Sequence, residues 1–254
     1  MEYPPIISYQ TMAKYIDSIE KKVKESSIKL PKNFKKNGKV LVKQLQDIME
    51  KSKSVKIQYD NLKQLIDKAK KIYNIQSTVN DVVFKSPLNN PDIFENKLSF
   101  KGQGKLLLKL DVSKEEIRST FEAILDQAYR CVYYSIRAIS WFHSKDINEV
   151  GEFLIFTRKL KTRCDLVSYF ISEYNQWIKQ LQDIRGMSYH FSTIPQSDLQ
   201  LELDGSSNSP VQKYFIVFGR HKNERIDLEK YCDSLCTSAF CFSHDLIRTI
   251  DENH

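Results

Sequence analysis

The amino-acid sequence predicts a mainly α-helical protein: a helical bundle over residues 112–254 that carries an inserted β-hairpin, preceded by a lysine-rich helical region over residues 1–111. Three observations predict it. The 254 residues contain only 7 Gly and 7 Pro, too little turn chemistry for many short strands. Apolar residues recur at steps of three and four through most of the chain. Hydrophobic content of 41% beside 28% charged residues suffices for the core of one large or two small domains. A disordered tail and a disulfide-stapled miniprotein are excluded.

Taken in order, residues 9–29 and 39–73 set apolar positions such as Leu45, Ile48, Leu62 and Ile66 among lysines, which predicts two or three basic amphipathic helices. Asn33 to Gly38, just after Pro31, separates them. Residues 74–111 read as less regular, with turns at Pro87, Asn89, Asn90 and Pro91 and a loop at Lys101-Gly-Gln-Gly-Lys105. No P-loop lysine and serine follow that Gly-x-Gly, so nucleotide binding is not expected there. Ser113-Lys-Glu-Glu116 is a capping box that opens a long helix ending near His143. A second helix is predicted from Ile147 to about Leu160. A third opens near Thr162, with Leu166, Phe170, Tyr174, Trp177, Leu181 and Ile184 as a bundle seam. Leu199-Gln-Leu-Glu-Leu203 alternates with period two and Val211 to Phe218 is rich in β-branched and aromatic residues, so a hairpin is expected at about 199–218. A last helix is expected from about Ile226 to Ile250.

Charge divides the chain. Residues 1–111 hold 22 basic groups, all Lys, against 12 acidic ones, whereas residues 112–254 hold 17 against 20 and include all nine Arg. Lysine is a solvated point charge suited to a general polyanion field, and arginine's planar fork suits positioned contacts to phosphate. Lys21, Lys22, Lys35, Lys36, Lys68, Lys70 and Lys71 are therefore candidates for binding an RNA backbone. The alternative is that these helices pack on the bundle and complete its core, because their apolar faces must be buried against something.

The five cysteines include no Cys-x-x-Cys pair and read as reduced, mostly buried thiols. The N-terminal residues lack a signal-peptide pattern, and apolar stretches such as Ala128 to Phe142 are interrupted by Arg130 and Arg137. A cytoplasmic protein without a membrane segment is expected. Cys232 and Cys236 would share a helix face, but Cys241 and His244 rotate away and no Cys-x2-Cys knuckle adds a second ligand pair, so the four read as buried helix residues and no metal or other cofactor is expected.

Asp183-Ile-Arg-Gly-Met-Ser-Tyr-His190 places Arg185 and His190 with four residues between them after a long bundle helix. Two other Arg/His pairs have related spacings, Arg137 with His143 and Arg248 with His254, but only Arg185/His190 sits late in the bundle. This segment resembles the R-x4-6-H motif of the HEPN superfamily, whose members are helical bundles of roughly the length of residues 112–254. The resemblance implies metal-independent endoribonuclease activity, often across a homodimer interface, in a toxin or antiphage defence setting with a possible inhibitory protein partner. It assigns catalysis to Arg185 and His190. The family commonly has Asn after the Arg, where this chain has Gly186, and some branches have Tyr two residues after the His, where this chain has Ser192.

The chemistry suits those residue types. Cutting RNA requires a proton taken from a 2'-OH, charge compensated on five-coordinate phosphorus and a proton given to a 5'-oxygen. Histidine serves as base or acid, and arginine holds two phosphate oxygens. On an ideal helix residues five apart point about 140° away from each other, so the pair converges if the helix breaks, at Gly186, or if a second protomer supplies its own pair. Asp183, Ser188 and Tyr189 are candidate auxiliaries, and Asp126 and Glu122 are candidates for orienting the histidine. The non-catalytic alternatives are a capping or core role for His190, a salt bridge from Arg185 to Asp183 or Glu173, and a degenerate module that binds RNA or a protein.

Overall fold

The computed structural model describes residues 7–25, 38–72, 74–78, 81–85, 97–98, 105–109, 114–143, 145–160, 164–191, 198–204, 211–218 and 224–253. It is mainly helical, with α1 (Ile7–Lys24), α2 (Gly38–Ile72), α3 (Lys114–Phe142), α4 (Val150–Lys159), α5 (Asp165–Glu173), α6 (Lys179–Phe191) and α7 (Leu228–Asn253). Among the described residues no helix is long and apolar enough to cross a membrane.

Contacts divide the chain into two compact units, and the division does not fall at residue 111. One unit comprises Met1–Ile57, Ala123–Arg185 and Ser234–His254; the other comprises Gln58–Glu122 and Gly186–Asp233. The lysine-rich segment thus contributes to both. Its helices bury the apolar faces that their periodicity marks: Met12, Ile16 and Ile19 of α1 and Leu41, Leu45 and Ile48 of α2 are at most 2% exposed.

In the first unit, aromatic packing centres on Phe242 of α7. Its ring meets Phe170 at 6.2 Å and Trp177 at 5.7 Å edge-on, and Tyr169 stacks on it at 5.8 Å. Phe153 of α4 closes against Phe170 at 4.8 Å. Between α5 and α6 the helix takes one π-helical turn, Tyr174–Ile178, which shifts the phase of the seam. Trp177 and Ile178 are both buried, whereas Tyr174, expected in the seam, is only half-buried. Gly38, at the start of α2, lies so close to α1 that a Cβ there would stand 2.1 Å from Cγ1 of Val23.

The second unit contains the strands. Residues 74–111, expected to be irregular within a helical region, carry β1 (Asn74–Thr78), β2 (Asp81–Lys85), β3 (Lys97–Leu98) and β4 (Lys105–Lys109). The first three form an antiparallel sheet in the order β1-β2-β3. A second antiparallel sheet has the order β4-β5-β6-β7, with β5 (Asp198–Asp204), β6 (Val211–Phe218) and β7 (Glu224–Asp227). Leu201 lies opposite Leu108 on one side and Tyr214 on the other. Pairing of β4 with β5 joins segments distant in sequence, and the unalternating Lys-Leu-Leu-Leu-Lys run of β4 announces no strand period. The helices of this unit bury Tyr59, Leu62 and Ile66 of α2, Phe121 of α3 and Leu228 of α7. Tyr59 donates its hydroxyl to Asp233 Oδ1 at 3.1 Å, and the rings of Phe121 and Tyr231 meet at 6.2 Å.

Candidate functional site

Helix α3 sets Asp126, Tyr129 and Arg130 at i, i+3 and i+4, positions that share one helix face. Its opposite positions Leu125, Ala128 and Val132 are buried, and this fixes the face's direction. Arg130 Nε donates to Asp126 Oδ2 at 2.7 Å. Arg185 of α6 brings Nη2 to 3.7 Å from Asp126 Oδ1 and lays its guanidinium carbon 4.1 Å from the centre of the Tyr129 ring. One carboxylate therefore faces two guanidiniums, one at hydrogen-bond length and the other by charge alone. Arg185 is held by a flat aromatic surface yet its side chain keeps 29% exposure, an arrangement that presents an oriented cation to an anion.

The remaining predicted residues fall as follows. Ser188, Tyr189 and His190 lie on α6, and their side chains lie outside the described residues. Asp183 is exposed. The carboxylate beside Arg185 is that of Asp126 rather than Asp183 or Glu173, and Glu173 instead accepts Trp177 Nε1 at 2.7 Å. Asp126, considered as a partner for the histidine, stands with the two arginines. Glu122 pairs with Arg118 at 3.2 Å. The helix break considered at Gly186 is not there: α6 runs on to Phe191, so within one chain the positions of Arg185 and His190 are about 140° apart. A Cβ at Gly186 would meet nothing within 4 Å, so packing does not demand glycine.

The lysine candidates divide. Lys22 is engaged within the protein: its Nζ bonds Asp251 Oδ1 at 2.8 Å as well as the Asp251 carbonyl, in a partly buried pair between α1 and α7. Lys21 is exposed, 4.0 Å from Glu25. Lys68 is exposed on α2. Lys70 and Lys71 are on α2 with side chains outside the described residues, as are Lys35 and Lys36 entirely.

Sequence reasoning missed Tyr129 and Arg130, although their spacing from Asp126 is the signal that could have found them. It also missed a group formed by α5 and α7. Burial raises the pKa of Glu173 above its ordinary value, with the Trp177 hydrogen bond opposing the rise and Asp245 adding to it. Burial, then the charges of Glu173 and Asp245, push the Tyr169 phenol far above its ordinary value. His143, of the Arg137/His143 pair, lies beside Cys164, while Arg137 reaches Asp146 at 3.6 Å.

None of the five cysteines forms a disulfide; Cys131, Cys232 and Cys236 are buried, Cys164 is half-buried and Cys241 is exposed. Among the described residues no three His, Cys, Asp or Glu side chains gather to hold a metal ion. In comparisons with known proteins, no family model, no curated sequence and no solved structure matches the chain.

Proposed function

We propose that the chain is a HEPN-type endoribonuclease that acts as a homodimer. The observation that carries this reading is Arg185: stacked on Tyr129 and 3.7 Å from Asp126, it is oriented and partly exposed, as a phosphate-binding arginine must be. Arg185 would hold two non-bridging oxygens of the scissile phosphate as charge builds on phosphorus. His190 would take the proton from the 2'-OH as that oxygen attacks phosphorus, and a histidine in acid form would protonate the departing 5'-oxygen. The products are a 2',3'-cyclic phosphate and a 5'-hydroxyl end. Because α6 is unbroken, the complete set of groups would come from two copies of the helix. The toxin or defence setting, and an inhibitory protein partner, rest on the motif resemblance alone.

The same unbroken helix favours a second reading, a HEPN-like module with a degenerate site that binds RNA or a protein. Incubating the purified full chain with single-stranded RNA in EDTA separates the two. The nuclease reading expects cutting with cyclic-phosphate ends, lost by about 10²-fold or more in Arg185→Ala and in His190→Ala while the helical circular dichroism is kept. RNA retention without cutting supports the binding module, and cutting by the His190→Ala protein moves the site elsewhere.

A further inference from the structure

We propose that Cys164 is a nucleophilic thiol served by His143, and that the pair reacts with low-molecular-weight disulfides to leave Cys164 in a mixed disulfide. This stands independently of the nuclease reading. Cys164 Sγ lies 3.3 Å from His143 Nε2, within reach of a sulfur hydrogen bond, and nucleophile and base at that separation are the geometric mark of an activated thiol. Both partners are fixed in place. The Cys164 carbonyl accepts the Ser168 amide at 3.0 Å, which sets Cys164 as the residue that opens α5. The backbone amide of His143 donates to the Ser140 carbonyl at 3.0 Å, and its ring stands edge-on to Phe156 at 5.5 Å.

Burial lowers the pKa of His143, so the ring is unprotonated at neutral pH, and with the proton on Nδ1 its Nε2 accepts. The other four thiols serve as internal controls. Cys131 is fully buried and its thiol is pushed up to about 12 by that burial. Cys232 and Cys236 are buried. Cys241 is exposed, but burial of its thiol and the nearby carboxylates of Asp245 and Glu173 raise its pKa. Only Cys164 combines access to solvent with a described imidazole at its sulfur.

In the reaction Cys164 Sγ forms a bond to one sulfur of the disulfide as the disulfide's own bond breaks. The thiol proton passes to His143 and then to the departing thiolate, which leaves as a free thiol. Cysteine is oxidised and the small disulfide is reduced, so no other oxidant is needed.

The test incubates the reduced full chain with glutathione disulfide at neutral pH, stops the reaction with acid and maps the adduct on each cysteine by mass spectrometry over time. Cys164 is expected to react about tenfold faster than Cys241 and about tenfold faster than Cys164 of the same chain unfolded in guanidinium. His143→Gln should bring Cys164 down to the rate of Cys241, with the melting temperature showing that the fold is kept. A folded-chain rate no higher than the unfolded-chain rate overturns the proposal, and so does an unchanged rate in a folded His143→Gln protein. If that variant does not fold, the comparison within the unaltered chain decides alone.

Discussion

Two positively charged regions of this molecule treat their charge in opposite ways. Along α1 and α2, cations are answered locally: Lys24 by Glu20 at 2.9 Å, Lys43 by Asp47 at 2.8 Å, Lys53 by Glu50 at 2.8 Å, and Lys22 by Asp251 across to α7. At the α3/α6 contact one carboxylate, Asp126, faces both Arg130 and Arg185, and Arg185 leans on an aromatic ring. The difference teaches that formal charge is a poor guide to where a cation is held against an aromatic ring and a shared carboxylate. The lysine-rich half holds the excess of positive charge, yet several lysines of its described helices stand in one-to-one pairs while their apolar faces build the core. The arginines of the other half are the positioned ones.

The largest effect expected is on the fold of the lysine-bearing helices. Gly38→Ala forces a methyl against Val23, and overpacking of this kind should destabilise the chain by about 2–3 kcal/mol, read as a lowered urea midpoint. A variant as stable as the parent would show that α1 and α2 are not tightly joined there and would return them to the role of a loose RNA-collecting arm. Arg185→Lys comes next. It keeps the charge but loses the fork and the stacking, and should weaken RNA binding about tenfold, whereas Lys21→Glu should change it less than twofold by filter binding at fixed salt. Equal losses would erase the contrast between the two regions.

Lys22→Met should cost about 1 kcal/mol of stability, since the pair with Asp251 is partly screened but leaves that carboxylate without its main cation; its RNA affinity should match the parent's. Asp126→Asn removes the charge that competes for Arg185 and should tighten RNA binding a few-fold, with a salt slope at least as steep as the parent's. Weaker binding by this variant would mean that Asp126 orients the arginine rather than competing with the phosphate. Gly186→Asn places a side chain where there is room and should raise stability by roughly 0.3 kcal/mol through helix propensity.

The smallest effect concerns pH. Glu173 has a folded pKa raised above its usual 4.5, chiefly by burial, so between that value and the raised one the folded chain binds more protons than the unfolded chain. Its contribution to stability is greatest in acid and falls as pH rises through that window. Glu173→Gln should flatten stability just above pH 4.5, where a parent and variant with parallel profiles would place the burial of Glu173 in doubt.

Much of the helical architecture was legible because each helix carries its own period. The starts of α2 and α3 and the end of α3 near His143 can be read from the Asn33–Gly38 break, the Ser113–Glu116 capping box and the loss of apolar spacing after Phe142. The strands of residues 74–109 were not legible, since β4 finds its partner in β5 and no local pattern records a partner so far along the chain. The π-helical turn escaped because a one-residue phase shift looks like ordinary mixing of three- and four-residue steps. At the site, Arg185 was singled out by its spacing to His190, but Tyr129 and Arg130 could not be, because nothing in α3 says which residue of α6 will lie across it.

By itself, then, the sequence determined that the chain is mainly helical, which faces of its helices are apolar and where its charge is concentrated, all properties set by residues within a few turns of one another. Tertiary structure alone decided that the lysine-rich segment is divided between two compact units, that Asp126 rather than Asp183 or Glu173 meets Arg185, and that Cys164 rests beside His143. Each of those is a meeting of side chains from different helices, and it depends on which buried faces pack together, a choice that short-range periodicity leaves open.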